Sequence, residues 1–413
     1  MRAMIDRKPT FIDFFVCLYL AFSYLSESMR WARYAMFLSI LAAALAFLLQ
    51  HRGNIKISLR FGMLFLPFIL FCFVSGLWAS SPSLAVQKGI TIAEIWMITA
   101  VIQLLYLEQP DAMRLIGIFK WSGLIEAAVV ITFSGWSSIV SLLMSGTRLL
   151  SPSLGNANRI GIVMSYTIVL CLYDIISSDR RWVLNLKIVL PILVLILSQS
   201  RTAILSCVLL SAVLIVSQIS DRDRRKRIAI ITFIIVAAFV ILIQKTTVLD
   251  AVVHRLNQLL GAVRMTDSAD NSAVVRLKLI RTGLALWKSN PILGVGMDNA
   301  RLYTIQDYYC HNDVVELLAD GGIFGFLLYF GVFTVLAFRV HRIRDANREL
   351  SKLGMVLILL QLVLSFGSVH YYLKDTYYLA LIYYTIVEET GVHPADTTES
   401  QTEILLGKER NLK

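Results

Sequence analysis

Apolar segments of about 20 residues recur along almost the whole chain, and their length limits what the chain can fold into. A helix rises about 1.5 Å per residue, so about 20 apolar residues cross the roughly 30 Å hydrocarbon core of a bilayer. Backbone polar groups inside lipid must bond within the protein, and these segments are too long to be barrel strands. Only 16% of the 413 residues are charged, while 57% are hydrophobic. The sequence therefore predicts an all-α polytopic membrane protein.

We predict about twelve transmembrane helices. No small-residue cleavage site closes the first apolar segment, so we interpret that segment as a retained span and not as a signal peptide. The predicted spans lie near 11–29, 31–50, 61–79, 89–107, 113–133, 159–178, 183–199, 201–219, 228–245, 321–339, 353–371 and 375–390. The predicted divisions are spans one to nine (1–245), a long loop (246–320), spans ten to twelve (321–390) and a tail (391–413). Acidic residues in or near the spans, expected to be structural partners for cations such as Lys120, are Asp13, Glu94, Glu126 and Asp174.

Lysine and arginine in the short loops orient these spans, because cytoplasmic loops are enriched in them. Residues 221–227 and 338–352 carry five basic residues each, so both segments should be cytoplasmic. If successive spans cross the membrane in opposite directions, both termini then lie in the cytoplasm and the loop 246–320 lies outside. With that loop, Lys245 at its edge and Lys120 set aside, 23 basic residues lie inside and 7 outside, which favours this orientation. We expect the net charge of +11 to face anionic membrane lipids and not a nucleic acid.

The long loop contains a predicted amphipathic helix from about Ser272 to Lys288. At about 100° per residue, Arg276 falls on its apolar side. A buried guanidinium is costly unless it meets an anion. Either an acidic residue such as Asp267 or Asp270 is that partner, or Arg276 clamps a phosphate, which suits its bidentate fork. The apolar side carries Leu279, Ile280, Gly283 and Trp287, and the opposite side carries Lys278, Arg281 and Lys288.

A second arginine, Arg201, stands in "LILSQSRTAILSCVLL", at the outer boundary between two predicted spans with almost no loop around it. One interpretation is that its side chain only snorkels to the membrane interface. The other is functional, because an ionisable group this close to hydrocarbon is a candidate for binding or catalysis. Further arginines at the outer boundary are secondary candidates for an anion site: Arg148, Arg159 and Arg281.

A histidine, His311, precedes a short predicted helix in "YYCHNDVVELLADGGIFG". Asn312 or Asp313 can cap this helix, and the glycines at 321–322 are expected to end it. The positive end of the helix dipole disfavours the imidazolium ion and so lowers the pKa of the histidine. A neutral imidazole can accept a proton, so His311 is either a general base or a histidine merely hydrogen-bonded at the interface.

The segment "HNDVVELLADGGIFG" fits the pattern His-Asn, nine residues, Gly, two residues, Gly. With "GNANRIGI", "SQSRTA" and "VVRLKLIRTGLALWKSNPILGVG", it makes residues 145–340 resemble the O-antigen ligase and polymerase superfamily. The spacing in the histidine motif is the form associated with ligases. By position, His311 resembles the essential histidine of that family, and Arg201 and Arg276 resemble its essential arginines. Arg159 departs from the pattern, since a small or apolar residue is expected there. Asn312 is a further secondary candidate.

The resemblance implies a C-type glycosyltransferase-like fold and an inverting O-antigen ligase in the inner membrane of a Gram-negative bacterium. An undecaprenyl-pyrophosphate-linked glycan would be the donor, and a sugar hydroxyl of lipid A–core, on the periplasmic face, would be the acceptor. His311 would be the base, Arg201 and Arg276 would hold the pyrophosphate, and no cofactor or metal is expected. The nearest alternative is a polymerase that joins lipid-linked repeat units. A protein oligosaccharyltransferase would need room for a polypeptide. A twelve-span transporter would favour paired halves and charged groups at the midplane, not at the outer surface.

Overall fold

The computed structural model describes residues 9–26, 29–50, 58–135, 137, 139–140, 156–177, 186–218, 271–304 and 307–391. The described residues are mainly helical and contain no β-strand. The helices are α1 Phe11–Leu25, α2 Arg30–Gln50, α3 Arg60–Val74, α4 Pro82–Leu105, α5 Ala112–Ser134, α6 Ala157–Ser177, α7 Val189–Ser198, α8 Arg201–Gln218, α9 Asn271–Ser289, α10 Asp313–Arg342, α11 Arg348–Ser365 and α12 Lys374–Glu389.

The predicted helical membrane class agrees with this architecture, but the number of spans is not confirmed. Eleven of the twelve predicted spans coincide with helices, and the predicted span near 228–245 lies outside the described residues. Among the described residues, six helices are long and apolar enough to cross a membrane. They are α2, α3 with the 3-10 turn after it, α4, α5, α6 and α10. The helix α7 has ten residues and so rises only about 15 Å, about half the hydrocarbon core.

Two helices, α6 and α12, lie at the centre of the bundle. Every residue of α12 from Asp375 to Val387 is buried. In α6, 83% of the most apolar stretch of 18 residues is buried. In contrast, α2 has one buried stripe, and large side chains such as Leu41 and Leu49 are exposed on it. Such an outward apolar surface suits contact with lipid tails, so α2 lies at the periphery.

Aromatic side chains join α3, α10 and α12. The ring of Phe65 lies 4.8 Å from that of Tyr377 and 6.1 Å from that of Phe333, centroid to centroid. The ring of Phe68 lies 5.3 Å from that of Tyr329. Each such pair contributes about 0.5–1.5 kcal/mol beyond its buried area, so the contacts fix these helices against one another.

Two ion pairs hold α5 to its neighbours. Lys120 bonds to Asp174 of α6, which confirms that Asp174 is a structural partner for this intramembrane lysine. Arg114 makes a bidentate contact with Asp13 of α1, with N–O distances of 2.7 Å and 2.8 Å. Charges removed from water are tolerated when they are paired in this way.

The ends of several helices meet at one end of the bundle, which we call the site end. A Cβ added at Gly161, near the start of α6, would lie 2.9 Å from the Cβ of Ser200, in the turn between α7 and α8. A Cβ added at Gly367, in the loop 366–373 between α11 and α12, would lie 2.4 Å from the side chain of Thr202. Asn312, before α10, bonds to Phe366, and Arg159 of α6 pairs with Asp375 of α12, so the site end comprises the starts of α6, α8, α10 and α12 and the end of α11.

Candidate active site

His311 lies just before α10, in an unusual backbone conformation. Its φ of 55° is in the left-handed region, which histidine enters more readily than most residues other than glycine. The imidazole lies against the ring of Tyr309, with centroids 4.2 Å apart. Asn312 is the N-cap, and its Oδ1 accepts a hydrogen bond from the N–H of Val315 at 3.0 Å. The predicted cap is thus confirmed, and it fixes where the helix begins relative to His311.

The glycine pair ends the first helical segment of α10, as predicted. At Gly322 the backbone leaves the helical conformation, with φ 61° and ψ −165°, and a second helical segment follows after this bend. A Cβ there would lie 2.3 Å from the carbonyl of Ile292, so the neighbouring backbone leaves room only for glycine. The N–H groups of Ile323 and Phe324 donate to the carbonyls of Pro291 and Ile292 at 2.9 Å and 3.1 Å. The bend therefore attaches the segment after α9 to α10.

The buried face of α9 carries Arg276, as the helical periodicity predicts. On this face Leu279 is 2% exposed, and Gly283 is buried. A Cβ at Gly283 would lie 2.7 Å from both Cys310 Sγ and Val315 Cγ1, so the face packs directly on the turn that contains His311. Arg276 lies two helical turns before Gly283 on the same face. The exposed side of α9 carries Lys278, Arg281 and Lys288.

The imidazole of His311 is held in its neutral form. Burial, and secondly the positive charge of Arg276, lower the pKa of His311 from its ordinary 6.5 to about 4. The direction agrees with the prediction, and the causes are desolvation and a neighbouring guanidinium; the contribution of the helix dipole stays a prediction. The acidic residues considered as partners of Arg276, Asp267 and Asp270, lie outside the described residues.

The start of α8 is tied to the His311 turn through the loop 366–373. The chain passes from α7 to α8 through Gln199, whose φ of 48° reverses its direction, and α8 begins at Arg201. Thr202, the next residue, touches Gly367 in that loop. The Nδ2 of Asn312 donates to the carbonyl of Phe366 at 3.1 Å. One loop thus contacts both the helix start that carries Arg201 and the residue beside His311.

The secondary candidates have different surroundings. Arg159, at the start of α6, forms an ion pair with Asp375 of α12 at 3.7 Å, and their side chains are only 11% and 3% exposed. This carboxylate gives Arg159 a partner within the protein. Arg281 is exposed on α9, and Arg148 lies outside the described residues. In the parts of the chain that the structure describes, no group of three His, Cys, Asp or Glu residues is arranged to hold a metal ion.

The sequence interpretation missed two buried carboxylates beside His311. Asp313 is fully buried and accepts the N–H of His370 at 2.7 Å. Glu316 is 2% exposed and accepts the N–H of Cys310 at 2.5 Å. Acidic residues in the first turn of a helix are common, because they complement the helix dipole, so their presence alone did not distinguish them. A carboxylate pair in an otherwise apolar segment was the available signal.

Comparison with known proteins agrees with the resemblance. Residues 186–330 match the family model described as O-Antigen ligase. The matched segment, about a third of the chain, includes Arg201, Arg276 and His311. No curated protein matches the chain.

Proposed function

We propose that this chain, which the match of residues 186–330 makes a member of the O-antigen ligase and polymerase superfamily, is an O-antigen ligase. It transfers a glycan from undecaprenyl pyrophosphate to a sugar hydroxyl of lipid A–core. The observation that carries the proposal is a neutral, half-buried His311 packed beside the arginine-bearing face of α9. A neutral imidazole next to a guanidinium suits proton abstraction close to a bound anion.

The proposed reaction is a displacement at the anomeric carbon. His311 takes the proton of the acceptor hydroxyl, and the oxygen forms a bond to the anomeric carbon. The bond from that carbon to the pyrophosphate oxygen breaks, and its electron pair leaves with the pyrophosphate. Attack from the side opposite the leaving group inverts the anomeric configuration. The donor is already activated, so the transfer needs neither ATP nor a nucleotide sugar.

Arg201 and Arg276 are proposed to hold the pyrophosphate. Guanidinium forks bind phosphate oxygens bidentately, and charge that grows on the leaving group is stabilised by several kcal/mol at a preorganised site of this kind. Arg276 has a second effect, because its charge helps to keep His311 neutral. A bound pyrophosphate offsets that charge. Donor binding therefore raises the pKa of His311 and makes the imidazole a stronger base when it is needed.

The site end is proposed to face the periplasm of a Gram-negative bacterium, with both termini in the cytoplasm. Two arguments support this orientation: the 23-to-7 distribution of basic residues and the convergence of four helix starts at the site end. The loop 246–320 would then lie outside the inner membrane. A lipid-linked donor in the outer leaflet could reach such a site laterally.

The decisive experiment offers the purified protein two acceptors. The protein in vesicles receives undecaprenyl-pyrophosphate-linked glycan with or without lipid A–core, in a buffer containing a chelator, and His311→Ala serves as the control. Glycan on lipid A–core, absent from the control, supports the ligase. A lengthened donor instead supports the polymerase. Transfer that requires magnesium or manganese would overturn the arginine-only account of pyrophosphate binding.

A further inference from the structure

We propose that Asp313 is a positioning residue that fastens the His311 turn to the loop 366–373. The inference rests on the proposed role of His311 as the base. Asp313 is the first residue of α10 and is separated from His311 only by Asn312. It touches no reacting atom in this account and acts by holding the turn in place.

The carboxylate of Asp313 bridges two segments far apart in sequence. Its Oδ1 accepts the N–H of His370 at 2.7 Å and the N–H of Tyr371 at 3.1 Å. Asp313 is 0% exposed, and His370 is 1% exposed, so water does not compete for these bonds. A buried N–H that loses its acceptor bears the full desolvation penalty, so both N–H groups depend on this side chain. The bridge is therefore a strong tie between α10 and the loop.

Two further bonds hold the turn on either side of His311. Glu316 Oε2 accepts the N–H of Cys310 at 2.5 Å. Asn312 donates from Nδ2 to the carbonyl of Phe366 at 3.1 Å, while its Oδ1 caps α10. A left-handed φ at a residue other than glycine persists only when the surroundings over-determine it. These bonds supply that constraint at His311.

The loop 366–373 also reaches the other side of the proposed site. Gly367 packs against Thr202, the residue after Arg201. Asp313 thus links the proposed base to backbone that contacts the start of α8. A displacement of about 1 Å between reacting groups can cost about 10²-fold in rate. Release of the Asp313 tie should therefore reduce catalysis without removing a group that binds the donor.

The same helix offers a matched control. Asp320 is also 0% exposed and accepts two backbone N–H groups, from Asp298 at 3.0 Å and from Ala300 at 2.7 Å. Its partners belong to the segment between α9 and the His311 turn and not to the loop 366–373. Loss of a carboxylate oxygen at Asp320 should reduce stability, because it leaves a buried N–H without its acceptor, while the bonds to the loop 366–373 stay intact.

The test measures Asp313→Ala, Asp313→Asn, Asp320→Asn and His311→Ala in vesicles with undecaprenyl-pyrophosphate-linked glycan and lipid A–core. We expect Asp313→Ala to lower kcat about 10- to 100-fold, with the donor KM changed less than about threefold. The acid limb of its kcat/KM profile, which reports the donor-free enzyme, should move up from about 4, because the opened turn no longer buries the imidazole. Asp313→Asn keeps an acceptor oxygen and should recover most of kcat. Asp320→Asn should lower the melting temperature and leave the acid limb unchanged.

Different results separate failure of this inference from failure of the proposed function. If Asp313→Ala keeps the wild-type kcat and acid limb, or if Asp320→Asn alters both equally, Asp313 is not a positioning residue. If His311→Ala itself transfers glycan at the wild-type rate, the proposed base is wrong. Should Asp313→Ala not fold, Asp313→Ser is measured instead, because it shortens the side chain and moves its acceptor away from the N–H of His370. An unchanged kcat in that variant would overturn the inference.

Discussion

Replacement of Arg276 by methionine should raise the pH at which activity is lost on the acid side. Burial is the larger cause that lowers the pKa of His311 from 6.5 to about 4, and the charge of Arg276 is the smaller one. The whole lowering is about 2.5 pH units, and the smaller cause accounts for less than half of it. A protonated imidazole cannot accept a proton, so activity falls as the pH falls through the pKa. We expect the midpoint of the acid limb to move from about 4 to no higher than about 5.

The assay is kcat/KM for the donor in vesicles as a function of pH, because this ratio reports the pKa of the donor-free enzyme, with recovery at pH 7 checked after each acid incubation. Arg276→Lys keeps the charge and loses the fork, so transfer should fall while the acid limb stays in place. Lys278→Met, on the exposed side of α9, should change neither quantity. If Arg276→Met leaves the limb at about 4, Arg276 does not act on His311. An equal movement in Lys278→Met would indicate a diffuse field and not a specific neighbour.

Three further results are expected. His311→Ala should slow transfer by about 10²–10⁴-fold. Donor binding, measured in the same preparation, should change far less. Transfer at nearly the wild-type rate would mean that the histidine has only a structural role. Gly283→Ala should lower the melting temperature, because the added Cβ meets Cys310 and Val315 at 2.7 Å and overpacking costs about 1–3 kcal/mol. In Gly331→Ala the added Cβ meets nothing within 4 Å, so the melting temperature should not fall. Equal decreases of the melting temperature in the two variants would contradict the packing argument. Reporters fused near residues 225 and 344 should be cytoplasmic and one near residue 270 periplasmic; a cytoplasmic signal at 270 would reverse the proposed orientation.

Features that depend on a few neighbouring residues could be predicted from the sequence. The length of the apolar segments indicated membrane helices, and helical periodicity placed Arg276 on the same face as Leu279. The capping role of Asn312 followed from its position before "VVELLAD". In each case the deciding interactions lie within one or two helical turns, so the local sequence contains the information.

Features that depend on contacts between distant segments could not be predicted. The end of the first helical segment at Gly322 was predicted, but the close contact of that glycine with the backbone of Ile292 was not. The low pKa of His311 was predicted from the helix dipole alone, and the contributions of burial and of Arg276 were not foreseen. Neither cause can be calculated until α9 is known to pack on the His311 turn.

The hydrogen bond between Asp313 and His370 shows, at the candidate site itself, the difference between features set by local sequence and features set by distant contacts. The sequence placed a capped helix after His311, and its first residue, Asp313, was expected at most to cap it. Its hydrogen-bond partners lie 57 and 58 residues further along the chain, in the loop between α11 and α12. Whether a buried carboxylate is a cap, an ion-pair partner or a bridge depends on which backbone N–H groups the packing brings to it. That packing is the sum of many helix contacts across the bundle, and no local pattern in the sequence specifies it.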